Sequence, residues 1–158
     1  MLKLNTDASL EKGTGRAYGG GLLRDVSGQW RQGFDANIGI CSILLAEIWC
    51  IFHGLEFAKT LGIRMLEVES DNLVVVAMIT GKFEVNVSCR AIVGKIGSLL
   101  LEFDSASVRH VHREGNFAAD FLSHHAYNFG RGVHVLEQPP TGLAIWLLHD
   151  RLGISDNR

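Results

Sequence analysis

The sequence predicts an α/β domain in which a meander of three antiparallel strands comes first and helices and strands then alternate. Three observations carry this reading. The turn signal "DVSGQ" separates Leu22 and Leu23 from Trp30 and Phe34, as in a hairpin. From residue 42 the apolar spacing changes to three and four residues, the period of a helix buried on one side. The apolar stretch "IRMLEVESD" is then followed directly by the helix-like "NLVVVAMITG", the order an α/β arrangement requires.

Taken in order, Leu2, Leu4 and Thr6 give a first strand that runs into Asp7 and is expected to end there. Gly19, Gly20 and Gly21 lie inside the second strand, where glycine is a poor strand former. They mark either a bulge or a place where another backbone or a ligand comes close. They do not stand between a strand and a helix, so they are not a dinucleotide fingerprint. Residues 42–62 place Leu44, Ile48, Ile51 and Leu55 on one face, with Ser42 opening the helix and Gly62 closing it. The fourth strand, residues 63–71, finishes on Asp71, and a short helix follows to Gly81. Residues 87–103 form a further amphipathic helix, "SASVRHVHR" a fifth strand, and Asn116 is expected to cap a last helix through "FAADFLSHHAYNF". The reading thus divides the chain into a domain over residues 1–130 and a C-terminal tail over 131–158. The tail carries Pro139, Pro140 and a short helix at "LAIWLLHDRLG".

Composition excludes several function classes. The 158 residues are 47% hydrophobic and 20% charged, which suits one compact domain rather than a disordered chain. A net charge of -2 gives no bulk attraction to nucleic acid or membrane, so an anionic partner must be held locally. Cys41, Cys50 and Cys89 have no C-x-x-C spacing, and their odd number suits a reducing compartment and buried, inert thiols. Lys3, Asn5 and Asp7 interrupt the N-terminal apolar stretch, and the longer apolar runs contain Glu47 or are too short for a bilayer, so no membrane association is expected. The expected location is intracellular, in cytoplasm or nucleus.

Two apolar strands that each lead into a carboxylate ask for a common reason. In an α/β sheet the strand ends and neighbouring helix termini converge on one edge, which lets Asp7 and Asp71 meet Glu47, on the rim of the apolar stripe, and Asp120, in the first turn of the last helix. Taken singly, Glu47 reads as a carboxylate reaching solvent or a lysine, and Asp120 as an anion favoured by the helix terminus. Together, four carboxylates repel and raise one another's pKa values unless cations neutralise them. An all-oxygen set without Cys or His suits Mg²⁺ or Mn²⁺, and a pair of such ions activates a water and stabilises the leaving oxygen of a phosphodiester.

Four segments in order then carry a resemblance: Asn5, Asp7, Ala8 and Ser9; Ala46, Glu47, Ile48, Gly54 and Leu55; Val68, Glu69, Asp71 and Asn72; and His110, Val111, Arg113, Glu114, Asn116, Ala119 and Asp120. The chain resembles the type 1 ribonuclease H family, and within it the ribonuclease H-like domains of plant retroelement reverse transcriptases. The resemblance implies a ribonuclease H-like fold with a five-stranded mixed sheet flanked by helices, three strands antiparallel and two added in parallel. It implies Asp7, Glu47, Asp71 and Asp120 as catalytic and metal-binding residues for two Mg²⁺ ions, with Mn²⁺ as the other candidate. The implied reaction is endonucleolytic hydrolysis of the RNA strand of an RNA–DNA hybrid. Ala8, Ser9, Asn72, Arg113 and Asn116 are the candidates for substrate contacts, the 2′-hydroxyls being read across the minor groove. The chain departs from the family in Ala8, which stands where glycine is usual, and in the short "VHREGN" connection. That connection has no clear counterpart of the family's loop histidine, a place His112 or Arg113 would have to fill. Few basic residues flank the site, which predicts weak, salt-sensitive binding helped by tethering to a reverse transcriptase or another larger protein. The alternative is a catalytically weak domain that binds nucleic acid or protein, with the apolar tail around Trp146 as its contact surface.

Overall fold

The computed structural model describes residues 1–156. Its elements are β1 (Leu2–Leu10), β2 (Arg16–Arg24), β3 (Trp30–Ile40), α1 (Ile43–Thr60), β4 (Met65–Ser70), α2 (Leu73–Ile79), α3 (Arg90–Leu100), β5 (Ser105–His110), α4 (Phe117–His125), β6 (Gly132–Leu136) and α5 (Ala144–Asp156). The sheet has the order β5-β4-β1-β2-β3-β6. β1, β2, β3 and β6 pair antiparallel, whereas β4 and β5 join β1 in parallel, so the sheet is mixed as expected. It has six strands rather than five. The additional β6 was unreadable because Val133 and Val135 alternate on an exposed edge over only five residues, between glycines and a proline pair.

The main core lies between one sheet face and α1, α2 and α3, where Leu4, Ile48, Ile51, Leu55, Leu66, Val68 and Ile96 are buried together. A smaller core of Leu22, Ala118, Ala119, Leu122 and Leu143 fills the opposite face beneath α4 and α5. The glycine triplet explains how close the layers come. A Cβ on Gly19 would meet Cys50 Sγ of α1 at 2.8 Å, while one on Gly20 would meet Leu122 Cβ at 2.5 Å and the α4 backbone at 2.7 Å. Successive strand residues point to opposite faces. Gly19 and Gly20 therefore admit a helix on each side of the same strand. Of the two expectations for these glycines, close approach accounts for them, by backbone at Gly20 and by side chains at Gly19 and Gly21.

Two local expectations are corrected, and the alanine in place of the family's glycine is accommodated. β1 continues through Asp7 to Leu10, because its pairing with β2 extends to Leu10↔Ala17. Asn116 does precede α4 but makes no capping bond with its side chain. Ala8 sits in extended backbone within β1, and no residue other than glycine has positive φ among the described residues, so alanine at this position carries no strain. Among the described residues, no helix is long and apolar enough to cross a membrane.

Candidate metal centre

The parallel register of β1 and β4 ends at Thr6↔Ser70, so the next residues, Asp7 and Asp71, come level at the C-terminal end of β4. Glu47 arrives from the second turn of α1, which lies across β1. Carboxylate oxygens of Asp7, Glu47 and Asp71 all lie within 4.8 Å of one another. Asp120, in the first turn of α4, lines the same depression together with Asp7, Ala8, Asp71, Asn72, Leu73, Val74 and Arg113. It stands beside the tight trio rather than within it.

Burial sets the electrostatics. Asp7 is 7% exposed and Glu47 4%, so Glu47 neither reaches solvent nor pairs with a lysine as its isolated reading would have it. Burial first, then the charges of Glu47 and Asp71, pushes the Asp7 carboxyl up to about 10. Glu47 is raised to about 7, again by burial first, with a hydrogen bond to Asp7 working in the opposite direction. Asp71 is raised by burial and by Asp120, against the opposing charge of Arg113. The backbone N–H of Ala8 donates to Asp7 Oδ1 at 3.0 Å and to Glu47 Oε1 at 3.3 Å, which orients both carboxyl groups. Glu47 Oε2 is buried without a hydrogen-bond partner among the described residues.

Glu69 supplies the contrast. It too is fully buried, yet Lys3, Arg24 and Arg109 surround it and Asn5 donates to it at 3.0 Å. Burial alone would raise its carboxyl, but those cations and the Asn5 bond bring it below the ordinary value. Buried Glu69 is thus compensated by three cations and an amide, and buried Asp150 by two backbone amides. Asp7 and Glu47 have no such match among the described ion pairs. Oxygen donors, close spacing and an unpartnered Glu47 Oε2 fit a hard divalent cation.

The expected substrate contacts divide. Ala8, Asn72 and Arg113 line the depression. Asn72 also caps α2, accepting from Val75 N at 3.1 Å, which leaves its Nδ2 uncommitted to the cap. Ser9 is directed to the C-terminal part of α4, its hydroxyl lying 3.4 Å from Ser123 O and from Tyr127 Oη. Asn116 is 1% exposed; its Nδ2 donates to Thr6 O at 3.0 Å and its Oδ1 accepts from Asn5 Nδ2 at 3.1 Å. It presents nothing to a ligand and instead ties α4 to β1.

Outside the residues named from sequence, the exposed His124 places its Nδ1 3.7 Å from Asp120 Oδ1. The i,i+4 spacing was a legible signal for that pair. Sequence reasoning missed Asp150, for which local sequence gives no signal.

Residues 5–126 match the model of the family described as reverse transcriptase-like. A protein of Arabidopsis thaliana, provisionally assigned as a ribonuclease H protein, is 33% identical over 152 residues, covering 96% of this chain. The chain spans 24% of the length of that relative. Among solved structures, ribonuclease H1 from the archaeon Halobacterium salinarum superimposes with a TM-score of 0.76 at 26% identity, over 80% of this chain and 97% of that one. LC11-RNase H1 in complex with an RNA/DNA hybrid gives 0.74 at 23% identity, over 81% and 97% of the two chains. A foamy viral protease-reverse transcriptase, also in complex with an RNA/DNA hybrid, gives 0.68 at 14% identity over 81% of this chain and 20% of that one.

Proposed function

Because the chain belongs to the reverse transcriptase-like family and has the ribonuclease H fold, we propose that it is a metal-dependent endonuclease that hydrolyses the RNA strand of RNA–DNA hybrids. The observation that supports this most is the buried Asp7–Glu47 pair beside Asp71, left without cationic partners while the equally buried Glu69 has three. Two of the structural relatives are in complex with an RNA/DNA hybrid, which favours that substrate class.

Asp7, Glu47 and Asp71 would hold two divalent cations, Mg²⁺ or Mn²⁺, with Asp120 contributing from the rim. When bound, such ions lower the pKa of an attacking water and neutralise charge on the leaving oxygen of a phosphodiester. The protein's part is placement. The Ala8 N–H fixes one oxygen each of Asp7 and Glu47, so the donors are set before any ion arrives. Arg113 puts a fixed positive charge next to Asp71 at the mouth, where an incoming phosphate would meet it. Asn72 Nδ2 and the exposed first turn of α2 offer a surface for the 2′-hydroxyl side of the hybrid. The products would carry a 3′-hydroxyl and a 5′-phosphate. The cluster raises its own carboxyl pKa values, so the ions bind best where protons compete least, at neutral to alkaline pH.

The test is cleavage of an end-labelled hybrid in Mg²⁺ or Mn²⁺ at low salt, comparing the native chain with Asp71→Asn. Metal-dependent cutting of the RNA strand that falls at least about 100-fold in the variant is the expected outcome. A second reading, a binding module without turnover, draws support from the exposed apolar residues Ile145, Leu148 and Leu152 on α5. A folded native chain that binds the hybrid and cuts it with neither metal would favour that reading.

A further inference from the structure

The first turn of α4 is capped from a distance. Asn116 holds the position from which a side chain ordinarily accepts the free amides of a helix. Its own side chain is engaged with Asn5 and Thr6 of β1 and makes no capping bond. The amides of Phe117 and Ala118 donate instead to the two carboxylate oxygens of Asp150, at 2.7 and 2.8 Å. Asp150 belongs to α5 and is fully buried. Both of its oxygens thus meet the positive end of α4, and the charge of the buried Arg24 also acts on it.

Asp120 lies on this same turn, its amide closing a helical bond to Asn116 O at 3.2 Å. Its side chain is 33% exposed and forms no part of the Asp7–Glu47–Asp71 trio. The location of its carboxylate therefore follows the register of the turn. We propose that Asp150 is a positioning residue of the metal centre: by holding the first two amides of α4, it fixes the turn that carries Asp120 and makes the C-terminal helix part of the catalytic unit. This inference rests on the metal-dependent function proposed above.

The full chain, Asp150→Ala and Asp150→Asn are compared by Mn²⁺ titration calorimetry, amide hydrogen exchange and hybrid cleavage. In Asp150→Ala the Phe117 and Ala118 amides should lose protection while those of β1 and β4 keep theirs. Mn²⁺ affinity should fall about tenfold, as for other residues that orient metal ligands, and kcat should fall with KM for the hybrid unchanged. Asp150→Asn keeps one acceptor oxygen and should lie between the two on every readout. If Asp150→Ala does not fold, Asp150→Asn decides by the same measurements. Unchanged Mn²⁺ affinity and kcat in a variant whose α4 amides have lost protection would overturn the inference, leaving Asp150 a contributor to stability alone. A native chain that neither binds Mn²⁺ nor cuts the hybrid would overturn the proposed function and this inference with it.

Discussion

Asp7 bears the largest electrostatic load of any residue in the site, and its removal has opposite consequences for stability and activity. Its folded pKa, about 10, lies above the ordinary 3.8, so the neutral form contributes stability that is complete below about 4 and lost as pH rises towards 10. The metal-free chain should therefore lose melting temperature steadily from pH 5 to pH 9. Asp7→Asn should flatten that slope and, since one pKa unit corresponds to about 1.4 kcal/mol, stabilise the metal-free protein at pH 8 by about 2 kcal/mol or more. Thermal melts of both proteins in a chelator check this, and the variant should no longer cut the hybrid. At this scale the convergence of Asp7, Glu47 and Asp71 was legible because carboxylates that follow apolar strand residues or sit on a helix rim contradict their apolar surroundings. The roles of Asn5 and Asn116 were not, because an amide that joins two elements looks in sequence like one that faces a ligand.

The spacing between elements depends on glycine at the β2 crossing. Gly20 lies against the backbone of α4, where an added Cβ would stand 2.7 Å from Leu122 C and 2.8 Å from Ser123 N. Gly20→Ala must push α4 off the sheet, and should cost about 1–3 kcal/mol. Denaturant titration would measure that cost. Displacement of α4 also moves Asp120, so metal affinity should fall more than in Gly94→Ala, where a Cβ on α3 meets nothing within 4 Å. The elements themselves were largely readable, since period-two and period-3.6 patterns are local properties. Their ends were less so. β1 outran its apolar pattern because pairing with β2 continues past Asp7, and β6 exists only because β3 offers it an edge.

For the whole molecule, a net charge of -2 adds no general attraction for a polyanion, so binding of a hybrid should rest on the few cations near the depression and on the ions themselves. With only about two phosphate contacts, affinity should drop by only about tenfold between 50 and 200 mM salt, which filter binding with a labelled hybrid would show. Saturating Mg²⁺ at about 100 times its dissociation constant should stabilise the fold by about 2.7 kcal/mol, and a chelator should reverse this in calorimetry. The order of elements along the chain was legible, but the attachment of α5 beneath α4 was not, because Asp150 finds its partners more than thirty positions earlier in the chain. That attachment has a temporal consequence. A chain emerging from the ribosome presents Asp120 before Asp150, and at about 5–20 residues per second the interval is a few seconds. During it the first turn of α4 lacks its distant acceptor, so under the proposed function a newly made domain would stay idle until α5 had appeared.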